Sequence, residues 1–322
     1  MPHSSCNCRC VMCDIWKGNN RLRQLTKNDI TGLLKTLKQL GTKQVVFSGG
    51  EALLNNNFFE FCSILRNEGL SITLLSTGIT FTRHANMLSE MVDEIIVSLD
   101  GNREVHDEIR NIPNAFQKLS DGINAVKTIN PALPVKARTV IHRLNYRVWP
   151  QIIESAREMG IDQISFLPAD VSSHAFNREA LWTETRKSEV AIPMAELKEL
   201  KETIEKLVIS NKEDFKHGFI TESPIKIRNI YNYYAALHGL NPFPLKRCNA
   251  PWVSVVVEAD GSVKPCFFHE SQGNIRDKSL KEILNSQSAI QFRKNLRVSK
   301  NSICEKCVCS LNMPPTFNPA IK

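Results

Sequence analysis

Between residues 26 and 168 two hydrophobic periods alternate along the chain. Ile30, Leu33, Leu34, Leu37 and Leu40 keep a helical period, opened by Thr26 and Asp29 as a capping pair and closed by Gly41. A short apolar strand follows at 45–47 and breaks at Ser48-Gly49-Gly50. Phe58, Phe61, Cys62 and Leu65 mark a second helix, and Ile72, Leu74 and Leu75 a strand ended by Ser76-Thr77-Gly78. A helix through Leu88 and Met91 leads to the strand 95–97, which ends at Ser98-Leu99-Asp100-Gly101. Helix, strand, helix and strand then repeat, over Phe116 to Val126, Val135 to Ile141, Ile152 to Met159 and Ile164 to Leu167.

The strands are short, apolar and β-branched, the texture of parallel strands covered on both faces. Helices between successive strands imply right-handed crossovers. Five or six such units predict an α/β fold, a partial (β/α)6 TIM-like barrel, with its chemistry at the C-terminal strand ends. The polar residues gather there: Ser48 to Glu51, Ser76 to Gly78, Ser98 to Asp100, and Asp170. Residues 170–192 read as an irregular excursion, Leu197 to Val208 as one more helix, and 211–247 as a bridge without a clear period. Beyond Cys248 two apolar runs flank Ala259-Asp260-Gly261, a hairpin signal, and Ser279 with Glu282 forms a capping box. The expected organisation is a barrel over 1–210, a bridge over 211–247 and a small Cys-rich domain over 248–322.

The chain has 322 residues, 42% hydrophobic and 23% charged, which excludes a disordered or low-complexity protein. A net charge of +8 suits an anionic ligand as well as nucleic acid. No apolar run reaches the roughly 18 residues of a membrane span, and no apolar segment near the start reads as a signal peptide, so a cytoplasmic protein is expected. Of 10 cysteines, only Cys62 stands alone, within a helical apolar pattern, and it reads as core. The other nine form two groups, at 6–13 and at 248–309, as metal ligands do in a reducing compartment.

Cys6, Cys10 and Cys13 give CxxxCxxC. Three thiolates on one loop can hold three corners of a 4Fe–4S cube and leave one iron open. Zinc is the competing reading, with Cys8 as fourth ligand. In the tail, Cys248 and Gly261 enclose twelve residues, Gly261 and Cys266 four, and Cys304 and Cys307 form CxxC with Cys309 close behind. Four thiolates from two distant segments suit a cluster or zinc equally.

The N-terminal motif, Ser48-Gly49-Gly50-Glu51, and Ser98-Leu99-Asp100-Gly101 with His106-Asp107 and Arg110 together resemble the radical S-adenosylmethionine (radical SAM) superfamily. The resemblance implies that Cys6, Cys10 and Cys13 hold a 4Fe–4S cluster. S-adenosylmethionine would chelate its open iron and be split by one electron into methionine and the 5′-deoxyadenosyl radical. It further implies that Gly49, Gly50 and Glu51 face the methionine ammonium and that Ser98 contacts the ligand. Met12 stands where the family places an aromatic residue against adenine. Arg138, on the next strand, is positioned for the methionine carboxylate. Position 52 is alanine where the family favours proline, and the family's strand ahead of the cysteine loop is expected to be a stub or missing. The tail resembles the SPASM/twitch extension of the same enzymes, in its shorter one-cluster form, on Cys248, Cys266, Cys304 and Cys307, leaving Cys309 spare.

The expected activity is hydrogen abstraction from a small polar substrate, sugar or cyclitol-like, with the auxiliary cluster taking the second electron of a net oxidation. Electrons would come from a donor such as flavodoxin or ferredoxin. A peptide-modifying maturase is the alternative within the family, and a zinc-dependent binding module the alternative outside it. The basic residues form no single tract and aromatics make up only 7%, which argues against nucleic acid as partner. His142, Asp170 and His174 are candidate substrate-side groups at strand ends.

Overall fold

The computed structural model describes residues 1–314; the end of the expected third domain, 315–322, lies outside the described residues. Five parallel strands form one sheet in the order β1 (Gln44–Phe47), β2 (Ser71–Ser76), β3 (Glu94–Ser98), β4 (Val135–Ile141) and β5 (Gln163–Pro168). Helices α1 (Lys27–Gln39), α2 (Phe58–Asn67), α3 (Phe81–Met91), α4 (Arg103–Arg110), α5 (Ala115–Ile129) and α6 (Trp149–Glu158) are interleaved with them. Thr26 and Asp29 form the anticipated capping box of α1, and Gly41 takes the left-handed conformation (φ 62°) just past its end. At the place of a sixth strand, Ile220 makes a single parallel bridge to Ile164. Ahead of the cysteine loop, only His3 pairs, in an isolated antiparallel bridge with Gln24.

The strands differ from expectation in one respect that matters for function. One face, with Phe47, Ile72, Leu74, Ile95, Val97, Ala137, Ile141 and Ile164, packs into the main core with Phe58, Phe61, Leu88, Ile123, Trp149 and Ile152 of the helices. The opposite face is mixed: polar and charged residues stand among Leu75, Ile96, Val140 and Leu167. Register places Thr73 beside Glu94, Lys136 beside Gln163, and Arg138 between Ser98 and Ser165. Gln44 donates to Thr73 (2.7 Å), Lys136 pairs with Glu94, and Arg138 donates to Ser165 (3.3 Å). The strands alternate, with charge on the side away from the helices, instead of being apolar on both faces.

The excursion at 170–192 ends in a short helix, α7 (Glu184–Val190), and α8 (Leu197–Ser210) follows. The segment 211–247 is largely helical as far as Leu237 and irregular beyond it. It contains α9 (Lys212–Lys216) and α10 (Pro224–Leu237), the latter opened by a Ser223 cap with proline in its first turn. Ile227, Ile230, Tyr233 and Tyr234 of α10 share the main core, so this helix covers β5. Tyr234 accepts from the Ala169 N–H at 3.0 Å, and Tyr233 donates to the Ala169 carbonyl at 3.2 Å, fixing the end of β5.

The tail begins with α11 (Ala250–Val253). Its three-stranded antiparallel sheet runs β6 (Val256–Val257), β7 (Ser262–Lys264), β8 (Gly273–Asn274). Three short helices follow: α12 (Leu280–Leu284), with the Ser279–Glu282 capping box, α13 (Gln287–Asn295) and α14 (Ser302–Lys306). Arg276 reaches across to Asp29 (3.0 Å) and Arg23 to Asp260 (2.8 Å), tying this sheet to the start of α1.

Candidate functional site

The loop carrying Cys6, Cys10 and Cys13 lies over the strand ends. Its entry is fixed to the segment after β1: the Glu51 N–H donates to the Ser5 carbonyl at 2.9 Å. A Cβ on Gly50 would lie 2.1 Å from that same oxygen, so no side chain fits there. Gly49, at φ 132°, faces the His3 carbonyl. These glycines admit the cysteine loop's own backbone, a reason for Gly-Gly that the sequence reading gave to a ligand. Asn19 clamps Cys6, accepting from its N–H and donating to its carbonyl, both at 2.9 Å.

The middle of the loop hangs from the last turn of α4. The Arg9 and Val11 amides donate to the carbonyls of Arg110 and Ile109, both at 3.0 Å, and Cys10 sits between them. Arg110 Nη1 lies 3.4 Å from Cys10 Sγ, and the same guanidinium pairs with buried Asp100. Asp100 also accepts from the Val140 N–H at 3.0 Å, and Asn145 ties the Asp100 carbonyl (2.9 Å) to that of Val140 (2.9 Å). A hydrogen bond from the Cys8 thiol, with help from Arg110, brings the Cys10 thiol down to about 7 against its burial. Cys8 itself is fully buried, and hydrogen bonding with Cys10 and Cys6, with burial, raises its thiol pKa. Burial pushes the Cys13 thiol up to about 12, and both Cys10 and Cys6 act on it electrostatically, so the three motif thiols share one locality.

The exit of the loop is clamped by the 170–192 excursion. Trp182 Nε1 donates to Asp14 at 2.6 Å, and Arg186 donates to the Val11 carbonyl. Arg178 lies 3.9 Å from the Trp182 ring centroid and pairs with Asp170 at 2.6 Å, both side chains being essentially inaccessible (0% and 1%). Removing one partner of such a pair leaves an unpaired buried charge, a loss of about 3–5 kcal/mol. Arg178→Met is therefore expected to lower the apparent melting temperature and loosen the cysteine loop. Thermal unfolding followed by circular dichroism, alongside iron retention, checks this; unchanged melting and iron content would contradict it.

Several expected site residues take other roles. The Glu51 carboxylate is fully buried and accepts from Leu53 N (3.1 Å), Ser76 Oγ (3.0 Å), Thr77 N (2.9 Å) and Thr77 Oγ1 (2.8 Å), which leaves it nothing for a ligand ammonium. It locks the ends of β1 and β2 together. Met12 packs in a small apolar cluster with Ile109, Ala169, Val171 and Trp182 rather than on an open face. Asp170 is consumed by Arg178 and by Ser172 and Ser173. His142 is buried, its pKa pressed down to about 3 by desolvation and by Arg110, and His174 is exposed on the excursion. Ser98, at the end of β3, and Arg138, in the middle of β4, come together as register partners. Arg138 makes no salt bridge among the described residues, and the Glu222 carboxylate lies within its electrostatic reach.

In the tail, Cys248 precedes α11, Cys266 follows β7, Cys304 lies in α14 and Cys307 caps its end. The distant segments are joined by Asn249. Its N–H donates to the Leu311 carbonyl (2.7 Å) and its Nδ2 to the Met313 carbonyl (2.6 Å), while its Oδ1 accepts from the Met313 N–H (3.0 Å). Lys246 adds a bond to the Glu305 carbonyl at 2.7 Å. The Cys266 thiol lies within electrostatic reach of Cys248 and Cys309, and the Cys304 thiol of Cys266 and Cys248. Burial raises Cys304 to about 11 and Cys307 to about 12, where Cys309 and Cys266 add to the effect. Cys309 is exposed, yet it belongs to the same locality, its N–H 3.3 Å from Cys307 Sγ. His269 Nε2 lies 3.4 Å from Cys304 Sγ. Among the described residues no three His, Cys, Asp or Glu side chains are arranged to hold a single metal ion.

Comparison with known proteins agrees with this geometry. A family profile described as the radical SAM superfamily matches residues 2–168, and one described as an iron–sulfur cluster-binding (SPASM) domain matches 248–308. The chain belongs to the radical SAM superfamily and carries a SPASM domain at its C-terminal end. It is 25% identical over 335 aligned residues to an Fe-coproporphyrin III synthase of Methanosarcina barkeri (95% of this chain, 80% of the relative). It is 26% identical over 276 residues to a probable GTP 3′,8-cyclase of Saccharolobus islandicus (82% and 80%). Among solved structures, anSMEcpe with bound AdoMet and Cp18Cys peptide superposes with a TM-score of 0.65 at 20% identity, over 94% of this chain and 85% of that one. Streptococcus suis SuiB bound to precursor peptide SuiA gives 0.61 at 13% identity, over 96% and 70%. The fold is thus a partial barrel with a C-terminal SPASM domain, and its two domains imply a 4Fe–4S cluster that binds S-adenosylmethionine together with auxiliary iron–sulfur binding. No helix among the described residues is long and apolar enough to cross a membrane.

Proposed function

We propose that Cys6, Cys10 and Cys13 hold the catalytic cluster, that Cys248, Cys266, Cys304 and Cys307 hold the auxiliary one, and that the chain oxidises a small polar molecule of the sugar or cyclitol kind. When bound, the catalytic cluster and S-adenosylmethionine supply a 5′-deoxyadenosyl radical that takes a hydrogen atom from the substrate. The protein's part is to present that substrate. The observation that supports a polar one is the strand face away from the helices, where Glu94, Lys136, Gln163, Ser98 and Arg138 lie in adjoining rows beside Leu75 and Ile96. Hydroxyls would find donors and acceptors there beside the Lys136–Glu94 pair and the Arg138–Ser165 bond, and a polar substrate compensates the desolvation of those groups where an apolar one does not. Arg138 and Ser98 lie nearest the cysteine loop and suit the cofactor's carboxylate, with the backbone carbonyls at 49–50 for its ammonium. The substrate radical must lose one proton and one electron to complete an oxidation, and the tail thiols supply a site for a one-electron acceptor.

Peptide modification is the second reading, because the solved neighbours anSMEcpe and SuiB have peptides bound. Substrate-stimulated formation of 5′-deoxyadenosine separates the two. With deuterated sugars and cyclitols, the account predicts stimulation and deuterium transfer into 5′-deoxyadenosine, with KM raised about tenfold or more in Lys136→Met by loss of a charge-assisted bond worth about 1.5–3 kcal/mol. Stimulation and label transfer from peptides alone would replace the first reading with the second.

A further inference from the structure

Arg110 is a buried side chain that neither substrate nor cofactor binding explains. It ends α4, whose N-terminus Asn102 caps and which stops at Asn111 in the left-handed conformation (φ 52°). The last two carbonyls of the helix receive the amides on either side of Cys10, so Cys10 is held in register with the Arg110 side chain. One guanidinium nitrogen then lies 3.4 Å from Cys10 Sγ and the other pairs with Asp100. Asp100 cannot follow a moving arginine, because its other oxygen is fixed by the Val140 N–H at 3.0 Å and its own N–H is bonded to His106 Nδ1 at 3.2 Å. His106 and His142, the imidazoles that feel Arg110, are both buried and both held neutral, chiefly by desolvation, so Asp100 is the formal counter-charge. Only 7% of Arg110 is exposed, so solvent screens little of its charge.

We infer that Arg110 is a positioning and tuning residue of the catalytic cluster: its N–H donates to the Cys10 thiolate and its fixed positive charge makes one-electron reduction of that cluster easier. The inference rests on Cys10 being a ligand. A charge-assisted hydrogen bond to a ligand sulfur withdraws electron density from the cluster, and net charge and hydrogen bonding at the sulfurs are what set such potentials. The reduced cluster carries one more negative charge, so a nearby cation favours it. Arg110 keeps its proton throughout; only one electron moves, from an external reductant to the cluster. Asp100 offsets part of the field while holding the guanidinium on its sulfur. The Asp100–Arg110 pair therefore sets geometry and potential together.

The test is a redox titration of the anaerobically reconstituted full chain without substrate, with Ti(III) citrate as titrant and the EPR signal of the reduced cluster as readout. A Cys248→Ala/Cys266→Ala/Cys304→Ala/Cys307→Ala background removes the auxiliary signal. In that background Arg110→Met with Asp100→Asn deletes both buried charges, so that no carboxylate is left without a partner, and Arg110→Lys keeps the cation but loses the fork. The expected result is full iron loading with the midpoint potential moved to more negative values in the double variant and by less in Arg110→Lys. An unchanged midpoint in both would overturn the inference and leave Arg110 as a loop anchor. Failure of the double variant to load iron would also overturn it, by placing Arg110 in cluster assembly. Cys10→Ala, measured in parallel, must lose the signal; if it keeps a normal cluster, the ligand assignment is at fault instead.

Discussion

Alanine at any one of Cys6, Cys10 or Cys13 is expected to reduce formation of 5′-deoxyadenosine from S-adenosylmethionine to background, under strong chemical reduction, with the fold largely retained. Three thiolates hold a cluster whose fourth iron must stay open, so none is in excess. Cys8 is the informative control. It is fully buried in the same loop, with its N–H 3.4 Å from Cys6 Sγ, but the three-cysteine motif does not include it. Cys8→Ala therefore loses at most a thiol hydrogen bond of about 0.5–1.5 kcal/mol and should keep most of the activity. A silent Cys6→Ala beside an inactive Cys8→Ala would show that the loop is ligated through different sulfurs.

In the tail, the double variant Cys304→Ala/Cys307→Ala is expected to keep forming 5′-deoxyadenosine and to lose the oxidised product. A cluster with a full set of four thiolates has no open iron for the cofactor, so it cannot start the radical, but it can accept the electron that completes the oxidation. The tail segments are joined by Asn249 and Lys246, whose bonds go to the Met313 and Glu305 carbonyls and not to the Cys6–Cys13 loop, so that loop should survive the change. Parallel assay of 5′-deoxyadenosine and product checks this. Full product formation without the tail cluster would remove the auxiliary acceptor from the account. Loss of 5′-deoxyadenosine in a folded variant with its barrel cluster intact would overturn the division of labour. Cys309 gives a secondary check: its closeness to Cys266 and Cys307 makes it the one thiol able to substitute, so partial rescue in Cys307→Ala alone is expected to disappear when Cys309 is also replaced.

The strands were legible because each is a short apolar run ended by Ser, Gly or Asp, and the capped helices because Thr26–Asp29 and Ser279–Glu282 carry their own start signals. Alternation in the strands was obscured. Ile95-Ile96-Val97 reads as uniformly apolar, yet the flanking Glu94 and Ser98, with Lys136 and Arg138 of the next strand, all turn to the face away from the helices. Helix α4 escaped notice because only Val105 and Ile109 are apolar in its two turns; its inward face carries His106 and Arg110 beside Ile109. The opposite difficulty hid α10, where Ile225, Ile227, Ile230 and the tyrosines leave no polar stripe to reveal a period. Ser223-Pro224 was the available signal, a cap followed by proline in the first turn.

At the site, the cysteine spacing and the Gly-Gly-Glu and Leu-Asp-Gly segments located the right region. They did not separate residues that face a ligand from residues that build the loop. Gly50 is required by Ser5 and Glu51 by Thr77, partners far away in sequence, and Asp170 by Arg178, eight residues on across an irregular loop. A carboxylate at a strand end looks the same in sequence whether its lone pairs are free or filled.

The central claim is that this chain holds two separate iron–sulfur clusters, one on each cysteine group. Iron and acid-labile sulfide, counted per chain after anaerobic reconstitution, test it most directly. The account predicts about eight of each in the parent protein, from two 4Fe–4S clusters. It predicts about four of each when Cys6, Cys10 and Cys13 are replaced together, and about four again when Cys248, Cys266, Cys304 and Cys307 are replaced together. Zinc without sulfide at either group, or an iron count that falls to zero in either variant, would contradict it.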